Sequence, residues 1–170
     1  MPDEISGIPV HVLLVHAIVV LVPLTALLTV LSAVWPAARR RIGIITPLFG
    51  LITLILVPIT QNAGEWLAAR VGNAPLIKVH TDLGATMLWF GIGLFVASLL
   101  AWGVPTLLTR NAKKPPAPWI GVVVAVIAVA LAGASVVQVY RIGESGSKAV
   151  WEGSFCEFPV SADGTCPVSL

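Results

Sequence analysis

IPVHVLLVHAIVVLVPLTALLTVLSAVW, residues 8–35, decides the fold. It carries no charged side chain and is longer than the roughly 20 apolar residues that an α-helix, rising about 1.5 Å per residue, needs to cross about 30 Å of hydrocarbon. Two polar residues interrupt it near its front, His11 and His16. The whole chain has the same character: of 170 residues, 57% are hydrophobic and only 11% charged, far from the composition of a soluble globular domain. A net charge of +2, with the basic residues in short clusters at the ends of apolar runs, excludes a nucleic-acid partner and matches membrane orientation instead. The leader Met1–Gly7 has Asp3 and Glu4 where a signal peptide has a basic region, and the apolar run after it is too long for a signal core. The segment is therefore expected to be retained.

Working outward, three more stretches are long and apolar enough to span: residues 42–60, 83–108 and 119–140. The expectation is an all-α integral membrane four-helix bundle, up-down-up-down, occupying residues 1–141, followed by a short extracytoplasmic tail, 142–170. Pro23, Pro47, Pro58 and Pro105 fall in or near these runs and predict bends, since neighbours in a bilayer bundle satisfy the freed backbone groups. Arg39, Arg40 and Arg41 join the first two runs, and Arg110, Lys113 and Lys114 the last two. The positive-inside rule places both connections in the cytoplasm, and both termini outside the plasma membrane. Residues 61–81 read as an outer loop whose Glu65, Trp66 and Leu67 open a short amphipathic piece on the membrane surface, ended by Gly72, Asn73 and Pro75.

Polar residues gather toward one face. Counted about 20 residues outward from the aromatic belt of Trp35, Trp102 and Trp119, three helices bring His16, His80 and Gln138 to one height, and the second, counted from Ile42, brings Gln61 there, with His11, Asn62, Glu65, Asp82, Tyr140, Arg141 and Glu144 just beyond. Such residues in a span face the bundle interior or a wet cavity. His11 and His16 are five positions apart, so about 140° separates them around the helix and they have different surroundings.

Two chemistries fit this layer. Neutral imidazoles from two helices hold b-type haem iron or another metal; here His16 is the first expected ligand, with His80 or His11 opposite, Glu65 and Asp82 orienting the rings, and Gln138 and Arg141 beside them. That is an electron-transfer component. Alternatively His80, Asp82, Glu65 and Arg141 form a proton or small-cation site, or an ion-pair lock. A third reading has no chemistry: an accessory or stabilising subunit whose apolar faces meet other membrane-protein subunits and lipid. No nucleophile-base set, phosphate-binding loop, metalloprotease motif or dinucleotide fingerprint occurs, so no catalytic residue is assigned and an enzyme is not expected.

Ile8-Pro9-Val10-His11-Val12-Leu13-Leu14-Val15-His16, Thr60-Gln61-Asn62-Ala63-Gly64-Glu65-Trp66-Leu67, His80-Thr81-Asp82-Leu83-Gly84 and Val139-Tyr140-Arg141-Ile142-Gly143-Glu144-Ser145-Gly146 together resemble the actinobacterial branch of a predicted membrane-protein family, domain-of-unknown-function family 2231. The resemblance runs from Ile8 to about Trp151. It implies four helices and the same outward cluster of polar residues, without an established activity; a likeness to two-haem helical cytochromes is one of fold. Many relatives have a histidine after the Tyr-Arg pair, where this chain has Ile142.

Beyond the resemblance, Cys156 and Cys166 flank a segment containing Asp163-Gly164, a tight-turn signal that brings the two thiols together. Outside the cytoplasm the expected product is a disulfide. Intact protein treated with a thiol-alkylating reagent is expected to take up no label until it is reduced, and then two per chain. Two labels without reduction would contradict the bridge.

Overall fold

The computed structural model describes residues 4–72, 74–111, 117–153 and 156. The first apolar run forms α1 (Val10–Val34), which begins two residues later than the run because Ile8–Pro9 (β2) pairs antiparallel with Glu4–Ile5 (β1). Ser6 at φ +53° and Gly7 at φ +77° make the tight turn, the two successive positive φ values of a type I′ hairpin. A short helix α2 (Pro36–Ile42), with Pro36 at its first position, carries Arg39, Arg40 and Arg41 and turns the chain at Gly43 into α3 (Ile45–Val71). Two long helices follow, α4 (Pro75–Asn111) and α5 (Pro118–Trp151). Four of the helices, α1, α3, α4 and α5, are long and apolar enough to cross a membrane.

Helix outlasts hydrophobicity at the polar end. The expected outer loop is helical: α3 runs on through Glu65, Trp66 and Arg70 to Val71, and α4 starts at Pro75, because no proline falls between Gln61 and Val71, the lone Gly64 keeps helical geometry, and Gly72, at φ +93°, is the first residue to leave it. No separate amphipathic surface piece forms. Likewise α5 continues past Tyr140 to Trp151. Pro23, Pro58 and Pro105 lie within unbroken helices.

Side-chain pairings fix the arrangement. Thr25 meets Thr53 and Ser32 meets Thr46, so α1 and α3 are antiparallel. Gly50 lies against Ser98 while Gln61 reaches Gly84, which sets α3 against α4. Ser135 donates to the Phe90 carbonyl and Gln138 to Thr86, which sets α4 against α5. The helices follow one another round the bundle, α1 also touches α5, and α1 and α4 run parallel on a diagonal. The core along that diagonal is apolar in its middle, where Val22, Val57 and Leu94 are almost wholly buried with Ile18 and Met87 beside them.

Toward the arginine end the core changes character. Thr25, Thr29 and Ser32 of α1 recur at helical spacing on one stripe and are fully buried against Thr46 and Thr53 of α3 and Ser98 of α4. Thr25 and Thr53 share a hydrogen bond of 3.0 Å, and Ser32 and Thr46 one of 2.9 Å, the short polar links by which helices adhere in lipid. The Thr29 hydroxyl has no partner among the described residues. Arg39 closes this end by donating to the Ser32 carbonyl, and partial burial holds its guanidinium below the ordinary arginine range.

A Cβ on Gly50 would lie 2.5 Å from Ser98 Oγ and 3.3 Å from the Phe95 backbone, so this glycine is the tightest crossing between α3 and α4. Gly50→Ala is expected to cost about 1–3 kcal/mol through overpacking. Thr29→Val, which replaces an unpartnered buried hydroxyl by a methyl of similar shape, is expected to stabilise by about 1 kcal/mol. Unfolding of each variant in the same detergent checks both signs; equal midpoints for Gly50→Ala and the parent chain would contradict the tight crossing.

Candidate functional site: a histidine pair at one end of the bundle

His11, in the first turn of α1, and His80, in the second turn of α4, meet at the end of the bundle remote from the arginines. Their ring centres are 6.2 Å apart and their planes cross at 77°. Both are partly buried.

Each ring is held by the same device, built once on α3 and once on α5. His11 Nδ1 lies 3.0 Å from the Thr60 carbonyl, and His80 Nδ1 lies 3.1 Å from the Ile142 carbonyl and 3.1 Å from Ser145 Oγ. A carbonyl only accepts, so Nδ1 carries the proton on both rings and Nε2 is left with a free lone pair. Neither Nε2 has a hydrogen-bond partner among the described residues.

The carbonyl chosen in each case belongs to the residue four before a glycine, Gly64 or Gly146. In a helix that carbonyl points along the axis toward the N–H of residue i+4, so an incoming ring must pass over the i+4 residue to reach it. A Cβ on Gly64 would lie 2.9 Å from His11 Cε1 and 3.0 Å from its Nδ1; one on Gly146 would lie 2.9 Å and 3.1 Å from the same atoms of His80. Only glycine leaves the carbonyl open at these two positions.

One turn further into the bundle, α4 is stapled from both sides. Gln61 of α3 donates to the Gly84 carbonyl at 2.8 Å and the Ala85 carbonyl at 3.2 Å. Gln138 of α5, nearly buried, donates to Thr86 Oγ1 at 2.7 Å and lies 3.4 Å from the Leu83 carbonyl. These amides fix the turn of α4 just below His80. Beside them Gly84 has open space where a side chain would stand, as has Gly143 on α5.

The structure thus brings together His11, His80, Gln61 and Gln138 and sets the other expected residues apart. His16 is exposed on the outer side of α1, its Nδ1 bonded to the Val12 carbonyl of its own helix, so the residue expected as first ligand stands away from the pair. Glu65 is exposed without an ion pair among the described residues, and Asp82 is exposed in an i,i+4 pair with Lys78 at 2.8 Å; backbone carbonyls orient the imidazoles where these carboxylates were expected to. Arg141 faces outward. The polar lock of His80, Asp82, Glu65 and Arg141 is not assembled. Cys166 lies outside the described residues, and so does its expected disulfide with Cys156. Among the described residues there is no group of three or more histidine, cysteine or carboxylate ligands.

Fold and site define a small membrane-spanning helical bundle that presents two imidazoles to each other near one surface. The chain belongs to the family described as predicted membrane protein, DUF2231, whose model matches residues 7–155. No curated protein and no solved structure matches it.

In the metal-free protein, nitrogen NMR of labelled histidine is expected to show His11 and His80 as the Nδ1–H form. Gly64→Ala is expected to shift the His11 signals alone and Gly146→Ala those of His80, with His16 unmoved in both. An unchanged spectrum in either variant would contradict the glycine's role.

Proposed function

We propose that His11 and His80 are the axial ligands of a b-type haem and that the protein is an electron-transfer component of the membrane. The observation that carries this is the spacing of the pair. The ring centres stand 6.2 Å apart, a separation at which the two Nε2 atoms could hold one metal ion between them.

The donor set agrees. Each ring donates Nδ1–H to a carbonyl, which fixes the tautomer and leaves Nε2 as the ligand atom. In an apolar bundle a free imidazole lone pair is a cost that a metal removes. Among the described residues no third histidine, cysteine or carboxylate joins the pair as a ligand group, and a donor set of two imidazoles suits a haem. When bound, haem supplies reversible one-electron chemistry. His11 and His80 would hold the iron, with Gln61 and Gln138 keeping the α4 turn below His80 in place. The charge distribution, with Arg39, Arg40 and Arg41 at the far end, supports an extracytoplasmic position for the pair.

Full-length protein made in cells with ample haem is expected to show a Soret band of a six-coordinate low-spin haem and one iron per chain. His11→Ala and His80→Ala are each expected to lose or weaken it; His16→Ala is expected to keep it. A colourless protein that neither contains metal nor takes up added haem would overturn the proposal and favour a subunit that works only by packing against partners. Loss in His16→Ala with retention in His11→Ala would overturn the ligand assignment.

A further inference from the structure

Outside the histidine pair, on the lipid side of His80, a groove runs between α4 and α5. Its volume is about 200 Å³, and Leu76, Val79 and Leu83 of α4 face Arg141, Ser145 and Lys148 of α5 across it. The groove is apolar along one wall and charged along the other, at the level where helices leave the hydrocarbon: Arg141 adjoins Ile142, whose carbonyl holds His80.

The charges do not balance within the groove. Glu144, which also lines it, is taken by Lys148 at 2.8 Å. Arg141 is exposed and has no carboxylate partner among the described residues, so one guanidinium is left over. An unmatched cation beside an apolar wall fits one kind of occupant: an anionic head joined to a hydrocarbon chain.

We propose that this groove seats an anionic phospholipid of the adjoining leaflet, with its phosphate on Arg141 and the start of an acyl chain along Leu76, Val79 and Leu83. The guanidinium fork matches phosphate oxygens in two parallel hydrogen bonds, and basic pockets between membrane helices are a recurrent seat for acidic headgroups. A zwitterionic lipid is disfavoured because its ammonium would need a carboxylate and Glu144 is already neutralised. A free anion would leave the leucine and valine wall uncovered. The site also touches the histidine pair, since Ser145 in the groove wall is hydrogen-bonded to His80 Nδ1. The proposal stands independently of any haem.

The test is native mass spectrometry of the full chain in a neutral detergent, titrated with phosphatidylglycerol and, separately, phosphatidylcholine. The parent protein is expected to hold one phosphatidylglycerol with about tenfold preference, the weight of one charge-assisted contact. Arg141→Gln is expected to abolish the preference, and Arg70→Gln, the other exposed arginine at this end, to leave it intact. Equal binding of the two lipids by the parent chain, or an undiminished preference in Arg141→Gln, would overturn the proposal. So would full displacement by inorganic phosphate, which would mark the groove as a site for a soluble anion. Circular dichroism of each variant separates loss of the seat from loss of the fold.

Discussion

In lipid an apolar helix gains nothing by leaving the solvent for another apolar helix, so closeness of packing and a few polar links must hold a bundle together. This chain meets that constraint with small residues at every crossing. Gly50 lets Ser98 and Phe95 of α4 against α3, and the hydroxyls of Thr25, Thr53, Ser32 and Thr46 join α1 to α3 where the backbones come close. At the opposite end the same closeness has another result. Gly64 and Gly146 admit imidazole rings onto helix carbonyls, so the residues that let helices approach also orient the site. Packing and site geometry have one cause here.

The membrane class, the four helices and the gathering of polar groups at one end could be read directly, because run length and the cost of charge in hydrocarbon are properties of composition. Helix ends were less legible: Gln61 to Val71 and Arg141 to Trp151 look like loop or tail by hydropathy, yet a polar segment without Pro continues a helix that has already begun, even across Gly64, Gly143 and Gly146. The choice between His11 and His16 turned on rotation about the helix axis. Counting depth placed His16 at the shared height, but depth says nothing of which face a residue occupies. The signals that would have decided it are the stripe Ile18, Val22, Thr25, Thr29 and Ser32, which marks the buried face of α1 and continues back to His11 at helical spacing, and the paired glycines Gly64 and Gly146. The buried hydroxyl stripe has the same spacing, but it carries no charge and so does not stand out when spans are read by run length and polarity.

The doubled construction restricts how the site can work. Both rings take their orientation from backbone carbonyls inside continuous helices, which are among the least mobile acceptors in a protein, and not from carboxylates that can swing or protonate. Glu65 and Asp82 at the surface therefore have little leverage on the imidazoles. A pair fixed in this way, with ring planes at 77°, has little freedom to reorient, a restraint that comes from the backbone itself.

The position of the pair in the bundle adds a directional argument. Between the histidines and the hydroxyl stripe lies a dry layer of Val22, Val57 and Leu94, each no more than 2% exposed, with Ile18 and Met87 beside it. Beyond that layer, Thr29 has no hydrogen-bond partner and the remaining hydroxyls pair among themselves or with carbonyls of their own helices. The polar groups at the two ends thus form separate networks, and a proton or hydrated ion leaving the histidine pair toward the arginines would have to shed its water at Val22 and Leu94, a step that an apolar constriction opposes. Among the described residues the histidine pair is thus set apart from the arginine end by the apolar layer and lies open only toward its own end of the bundle.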